Sequence, residues 1–217
     1  MAGERDVLAK ALRARAAVIP ERFDDTSVWT LRSDLFALDA YLRAHPKEAP
    51  EKVRVALDRA KDLAASAHAF TSELRGFTKA KDRTEAASLF ELGSIGVLSI
   101  ENILTADPIT LPRILMGSLS ETLTFLASRQ IVAGSRDMLE GVYRQHAAAM
   151  YEEMWTLATD HRKALTGEDV KAVQAGIDGF FSTLEAASVE ARVAVLRQFY
   201  ALLLMLRSAE LLEALGG

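Results

Sequence analysis

Residues Ala86–Ala133 read AASLFELGSIGVLSIENIL, then TADPIT, then LPRILMGSLSETLTFLASRQIVA. Two apolar-rich stretches of helical length flank a short segment holding Asp107 and Pro108, a composition that ends one helix and starts another. Counted outward from that turn, Ser99 falls level with Gly117, Gly96 with Ser120 and Phe90 with Phe125. Small residues opposite small residues let two helix axes approach, which predicts a tight antiparallel helical hairpin at the centre of the fold. Replacing Gly96 or Gly117 by Leu is then expected to overpack the seam and cost about 1–3 kcal/mol.

Helical geometry sorts the polar groups of this hairpin. Advancing about 100° per residue leaves Glu91, Ser94, Glu101 and Asn102 opposite an apolar arc in its first helix. In the second, Arg113, Gly117, Ser120, Glu121, Thr124 and Ser128 form one narrow polar stripe on an otherwise leucine-rich surface. A helix that is apolar nearly all round belongs in an interior.

Outward from the hairpin, all five prolines lie between or at the starts of periodic segments, and no alternating segment is long enough for a strand. Six further helices follow from the spacing. The first, over 4–19, is read with Val7, Leu8, Ala11, Leu12, Val18 and Ile19 on one side. The second, over 27–44, carries the seam Val28, Leu31, Leu35, Leu38 and Leu42, with Trp29 and Phe36 set for another neighbour. The third opens at Pro50, closes at Gly76, and has the alanine-rich seam Val53, Ala56, Ala60, Leu63, Ala67, Phe70 and Leu74.

Past the hairpin, a helix over 135–163 carries Leu139, Tyr143, His146, Met150, Glu153, Leu157 and His161 on one stripe. Thr166-Gly167-Glu168-Asp169 resembles a capping box and opens the next helix. Ser188 caps the last, over 189–215, which is apolar on two sides and is therefore either central or covered by another subunit. The fold class expected is all-α, an up-and-down bundle of seven or eight helices forming one domain over residues 1–217. The alternative is a sub-division into three helices over 1–83 and five over 84–217.

Composition narrows the function classes. The chain has 217 residues, is half hydrophobic and contains no cysteine, which removes disulfides, thiolate metal sites and cysteine nucleophiles. The first twenty residues carry charges throughout and lack an apolar core, unlike a secretory signal. The apolar run FYALLLML is too short to span a bilayer. Residues 1–83 hold 16 Lys/Arg against 13 Asp/Glu, and the remainder 10 against 17. No concentrated basic face results, so nucleic acid is not expected as a partner. A soluble, cytoplasmic protein that does not engage a membrane is expected.

Motifs for chemistry are sparse. None of the four histidines has a Glu three residues before it, which removes the usual di-iron pattern. Glu48/Glu51 and Glu210/Glu213 have the first spacing of a magnesium-dependent helical hydrolase, without a matching second pair. Phosphate-binding loops, nucleophile elbows and dinucleotide fingerprints are absent. The candidate ligand-binding residues are Arg113, Ser120, Glu121 and Thr124: if the stripe lined a pocket, Arg113 could hold an anion and Glu121 could act as a base. Read structurally, the same stripe is a packing seam.

No cofactor and no metal is expected. The leading reading is a non-enzymatic helical protein acting through association. It would form a homodimer through the apolar helix 189–215 or the hairpin 86–133, or offer a surface to a protein partner. The alternative is a small-molecule-binding bundle with a pocket beside the 110–133 helix. A carboxylate- or metal-dependent hydrolase is the third reading.

Overall fold

In the computed structural model the described residues are 3–78, 136–160 and 166–216, with 116–117, 119–121 and 123–124. Among them the fold is entirely helical: α1 (Glu4–Val18), α2 (Asp25–Ala44), a 3-10 turn (Pro46–Glu48), α3 (Glu51–Thr78), α4 (Arg136–Asp160), α5 (Gly167–Glu185) and α6 (Val189–Gly216). Most of the hairpin over 86–133, with Gly96 and Arg113, lies outside the described residues. The chain divides into two compact units. One comprises Met1–Arg75, Val97–Leu104 and Tyr200–Gly217, and the other Gly76–Gly96 and Thr105–Phe199.

Helix starts follow their side chains. Asp24 caps α2, its Oδ1 accepting from the Ser27 N–H at 2.7 Å, so this helix begins two residues before the start expected from spacing. Thr166 and Asp169 close the expected capping box on α5, and the Ser188 hydroxyl accepts from the Ala191 N–H at 3.3 Å at the start of α6. Gly76 does not end α3, which continues to Thr78. A glycine inside a helix lowers its propensity without forbidding it.

In the first unit, α2 buries its whole expected seam, Val28, Leu31, Leu35, Leu38 and Leu42. The α3 seam is buried too, except for the half-buried Ala56. An aromatic row runs from Phe23 to Phe70 and on to Tyr200 of α6, with ring centroids 6.3 and 5.2 Å apart. Polar ties fasten the edges. Asp25 at the start of α2 meets four α3 side chains: the Ser72 hydroxyl at 2.9 Å, Arg75 Nη1 at 3.2 Å, His68 Nε2 at 3.4 Å and the Thr71 hydroxyl at 3.5 Å. Arg5 donates to the Leu215 carbonyl at 2.9 Å, satisfying an orphan acceptor in the last turn of α6.

One expectation for α1 fails on geometry. Val7 and Val18 are exposed, while Leu12, Ala16 and Ile19 form its buried side. At 100° per residue the six apolar positions split into two stripes, and only one of them can face a core.

In the second unit α4 buries Leu139, Val142, Tyr143, His146, Met150, Met154 and Leu157, and α5 buries Val173, Ile177, Phe180 and Leu184. Glu153 is half-buried and His161 lies outside the described residues. Leu119 and Leu123 are buried, whereas Gly117, Ser120, Glu121 and Thr124 are exposed.

α6 resolves the choice posed by its two apolar sides. From Gln198 to Ala209 every residue is buried, more than three turns with no outward face. Even Arg207 is only 1% exposed, its Nη1 held by Glu210 at 2.9 Å. Among the described residues, helix 189–215 exposes no large apolar side chain.

Two outcomes test this packing. A Cβ built on Gly117 meets nothing within 4 Å, which overturns the overpacking expected there. Gly117→Ala should stabilise by up to about 1 kcal/mol through helix propensity, and Gly117→Leu should be no worse than neutral. Urea denaturation checks both, and a clear loss would reveal a close neighbour. Asp25→Ala should destabilise by about 1–2 kcal/mol, because it strips charge-assisted bonds from the α2–α3 edge.

Candidate functional site

Of the four sequence-derived candidates, Arg113 lies outside the described residues. Ser120, Glu121 and Thr124 stand on an exposed helical surface. The Thr124 hydroxyl donates to the Ser120 carbonyl at 2.9 Å, so it is engaged by its own helix. The described part of the stripe is therefore an exposed polar face and not a close seam.

A dense charge cluster lies where α4, α5 and α6 meet in the second unit. Arg192 spans Glu140 at 3.1 Å and Glu185 at 3.6 Å, and its guanidinium sits 4.8 Å above the Tyr143 ring. The Tyr143 hydroxyl donates to Glu185 at 2.6 Å, Arg144 meets Glu140 at 3.2 Å, and Arg136 meets the buried Glu190 at 3.4 Å. Burial pushes the Tyr143 hydroxyl far above the ordinary phenol range, and the bond to Glu185 and its charge push the same way. Three glutamates face three arginines, so every carboxylate already meets a cation and none is left to polarise a substrate. The cluster fastens three helices.

A cleft of about 330 Å³ opens at the α2–3-10–α3 turn of the first unit. Buried Leu42, Ala49 and Leu57 floor it, and Asp39, Arg43, Arg54 and Asp58 rim it. Burial raises the Asp39 carboxyl, but hydrogen bonds from Lys61 and Arg43 outweigh this and hold it below the usual carboxylate range. Lys61 approaches it at 2.8 Å and Arg43 at 3.0 Å. An acid held ionised by two cations is a poor proton acceptor, and the rim works as a clasp across the turn. Among the described residues no three His, Asp or Glu side chains are close enough to hold a metal ion.

The remaining feature is a surface. Trp29 is 56% exposed and Phe36 48% exposed, although their spacing predicted a second neighbour. They lie on the α2 arc opposite the buried seam, together with Thr30, Ser33, Ala37, Ala40 and Ala44. None of these seven residues is charged. The Thr30 hydroxyl donates to the Thr26 carbonyl at 2.8 Å and the Ser33 hydroxyl to the Trp29 carbonyl at 3.0 Å, so even the polar members turn onto their own helix. On the edge, Arg32 rests 5.4 Å and Lys61 5.7 Å from the centre of the Phe36 ring.

α1 packs beside α2 and extends this face. Val7 and Val18 are 58% and 46% exposed, and with Ala11 and Ala14 they complete a second uncharged stripe at 4-3-4 spacing. Arg15–Asp34 at 3.5 Å and Arg5–Glu48 at 3.9 Å set the two helices antiparallel. The missing sequence signal was the absence of charge: the outer arc of an amphipathic surface helix normally carries it. Comparison with protein-family models, with curated proteins and with solved structures finds no match.

The Tyr143 cluster sets a pH dependence. A tyrosine whose folded pKa is raised contributes stability that is complete below the unfolded value of about 10 and is lost as pH rises beyond it. The urea midpoint of the wild type should therefore fall between pH 9 and 11 more steeply than that of Tyr143→Phe. Parallel slopes would remove Tyr143 from the alkaline transition.

Proposed function

We propose that the protein acts by association and not by catalysis, presenting the outer face of the α1–α2 pair to another protein surface. The observation that carries this reading is the exposure of Trp29 and Phe36 within an arc of α2 that has no charged residue. Contiguous exposed apolar patches larger than a few hundred Å² are uncommon on monomeric proteins and mark interaction sites. Aromatic side chains supply much of the binding energy where they occur. The absence of charge along one outer stripe of each helix follows if those stripes spend their working life covered.

The small-molecule alternative moves from the 110–133 helix to the α2–α3 turn, favoured by the cleft there. Its volume is at the lower end for ligand pockets, and its charged rim differs from their mostly apolar walls. The hydrolase reading draws no support from the described residues, which bring no three potential metal ligands together.

Photo-crosslinking in the native host separates the readings. A photoreactive residue at Ser33 or Ala40 should give a discrete protein adduct, while the same residue at Asp62 or Ala69 on the outer side of α3 should not. Equal labelling at all four positions, or no adduct at any, would overturn the association reading.

A further inference from the structure

We infer that the element docking on the outer arc of α2 is a single helix of another protein. It carries an Asp or Glu that pairs with Arg32, and a large apolar side chain about one turn to either side of that acid. The inference rests on the association reading above and adds the chemistry of the partner.

Arg32 is the unmatched charge on the edge of α2 that faces α3. Before it in the chain, Asp25 is met by Arg75, and after it Asp39 is met by Arg43 and Lys61. Arg32 lies between these acids and pairs with neither. Its neighbours one turn away on α2 are Val28, Trp29, Leu35 and Phe36, so its own helix offers no carboxylate. Among the described residues it makes no ion pair and no hydrogen bond, and its Nε is shielded from water without an acceptor. Its one partner is the Phe36 ring.

Burial makes this vacancy significant. Lys10, Lys47 and Lys52 also lack a counter-charge, but they are exposed and fully hydrated. Arg32 is half-buried, so it has given up part of its water with no carboxylate in exchange. Covering the arc with an uncharged or basic surface would remove the remaining water and leave the charge uncompensated. An acid placed there instead forms charge-assisted hydrogen bonds with the guanidinium. Charge complementarity therefore selects an acidic partner.

The flanks select its apolar residues. Trp29 lies three residues before Arg32 and Phe36 four after it, which sets one exposed aromatic about a turn to each side. Area selects the element. At about 1.5 Å per residue and 10 Å of width, the 20 residues of α2 present roughly 300 Å². That is well below the ~800 Å² per partner of a standard interface between folded proteins. It matches one helix laid along another, and Ala37, Ala40 and Ala44 leave a low stretch for its ridge of side chains.

A fluorescein-labelled, alanine-rich helical peptide of about 18 residues, with Glu at its centre and Leu one turn to each side, probes this site. The control is the same peptide with Gln in place of Glu. Fluorescence anisotropy should show the Glu peptide binding wild type at least about tenfold more tightly, by a margin that shrinks as salt is raised. Arg32→Gln should bring the two peptides level, whereas Lys52→Gln, at an exposed cation elsewhere, should leave the preference intact. Trp29→Glu, at an exposed position, supplies Arg32 with a carboxylate from its own helix and should also erase the preference. It serves should Arg32→Gln lose its helical circular dichroism.

Glu and Gln peptides that bind equally, or do not bind at all, would overturn the inference. So would a preference for Glu that survives both Arg32→Gln and Trp29→Glu. The photo-crosslinking at Ser33 and Ala40 reads the association separately. An adduct there beside indifferent peptides removes the acidic partner and keeps the association, and no adduct at all removes both.

Discussion

The structure depends on one constraint: the middle of α6, from Gln198 to Ala209, has no exposed side. A helix that is apolar all round cannot rest on a surface, so other elements must enclose it. The run from Gln198 to Ala209 is buried on every face. Its first eleven residues, Val189–Phe199, belong to one compact unit and the rest to the other. Arg207 shows how strict the enclosure is. Its charge is tolerated in the interior because Glu210, one turn on, meets the guanidinium directly.

The buried seams were legible in the sequence because burial leaves a periodic record. Val28 to Leu42 on α2 and the α3 seam apart from Ala56 read correctly from 3-4 spacing. Caps were legible where a side chain does local work, at Thr166, Asp169 and Ser188. Where the reading failed, apolar character was equated with burial. Val7, Val18, Trp29 and Phe36 are apolar and exposed. Periodicity gives the direction of a side chain and not whether anything is there to meet it. Gly117 failed for a related reason: a small residue permits close approach but does not require it.

Charge gives a second way to separate structure from function. In the cluster around Arg192, and on the rim around Asp39, each carboxylate faces a cation. Matched charges of this kind fix geometry and leave little field with which to act on a ligand. The α1–α2 surface is the reverse case, an exposed region from which charge is missing. Its edge cations, Arg32 and Lys61, lie against the Phe36 ring and hold the aromatic in place from the side. The site proposed for function was thus the least conspicuous in sequence, because it is defined by residues that are not there.

The discontinuity of the first unit has a consequence for biosynthesis. Its helices α1 to α3 are complete by Thr78, but the aromatic row that centres their core ends on Tyr200. During synthesis these three helices emerge about 120 residues ahead of the segment that fills them, some seconds at ordinary elongation rates. Local contacts between neighbouring helices form quickly, so a partly built unit with an unfilled interior must persist over that interval. Its final closure waits on the segment around Tyr200, and the interval before it is when the nascent chain most needs protection from its own apolar surfaces.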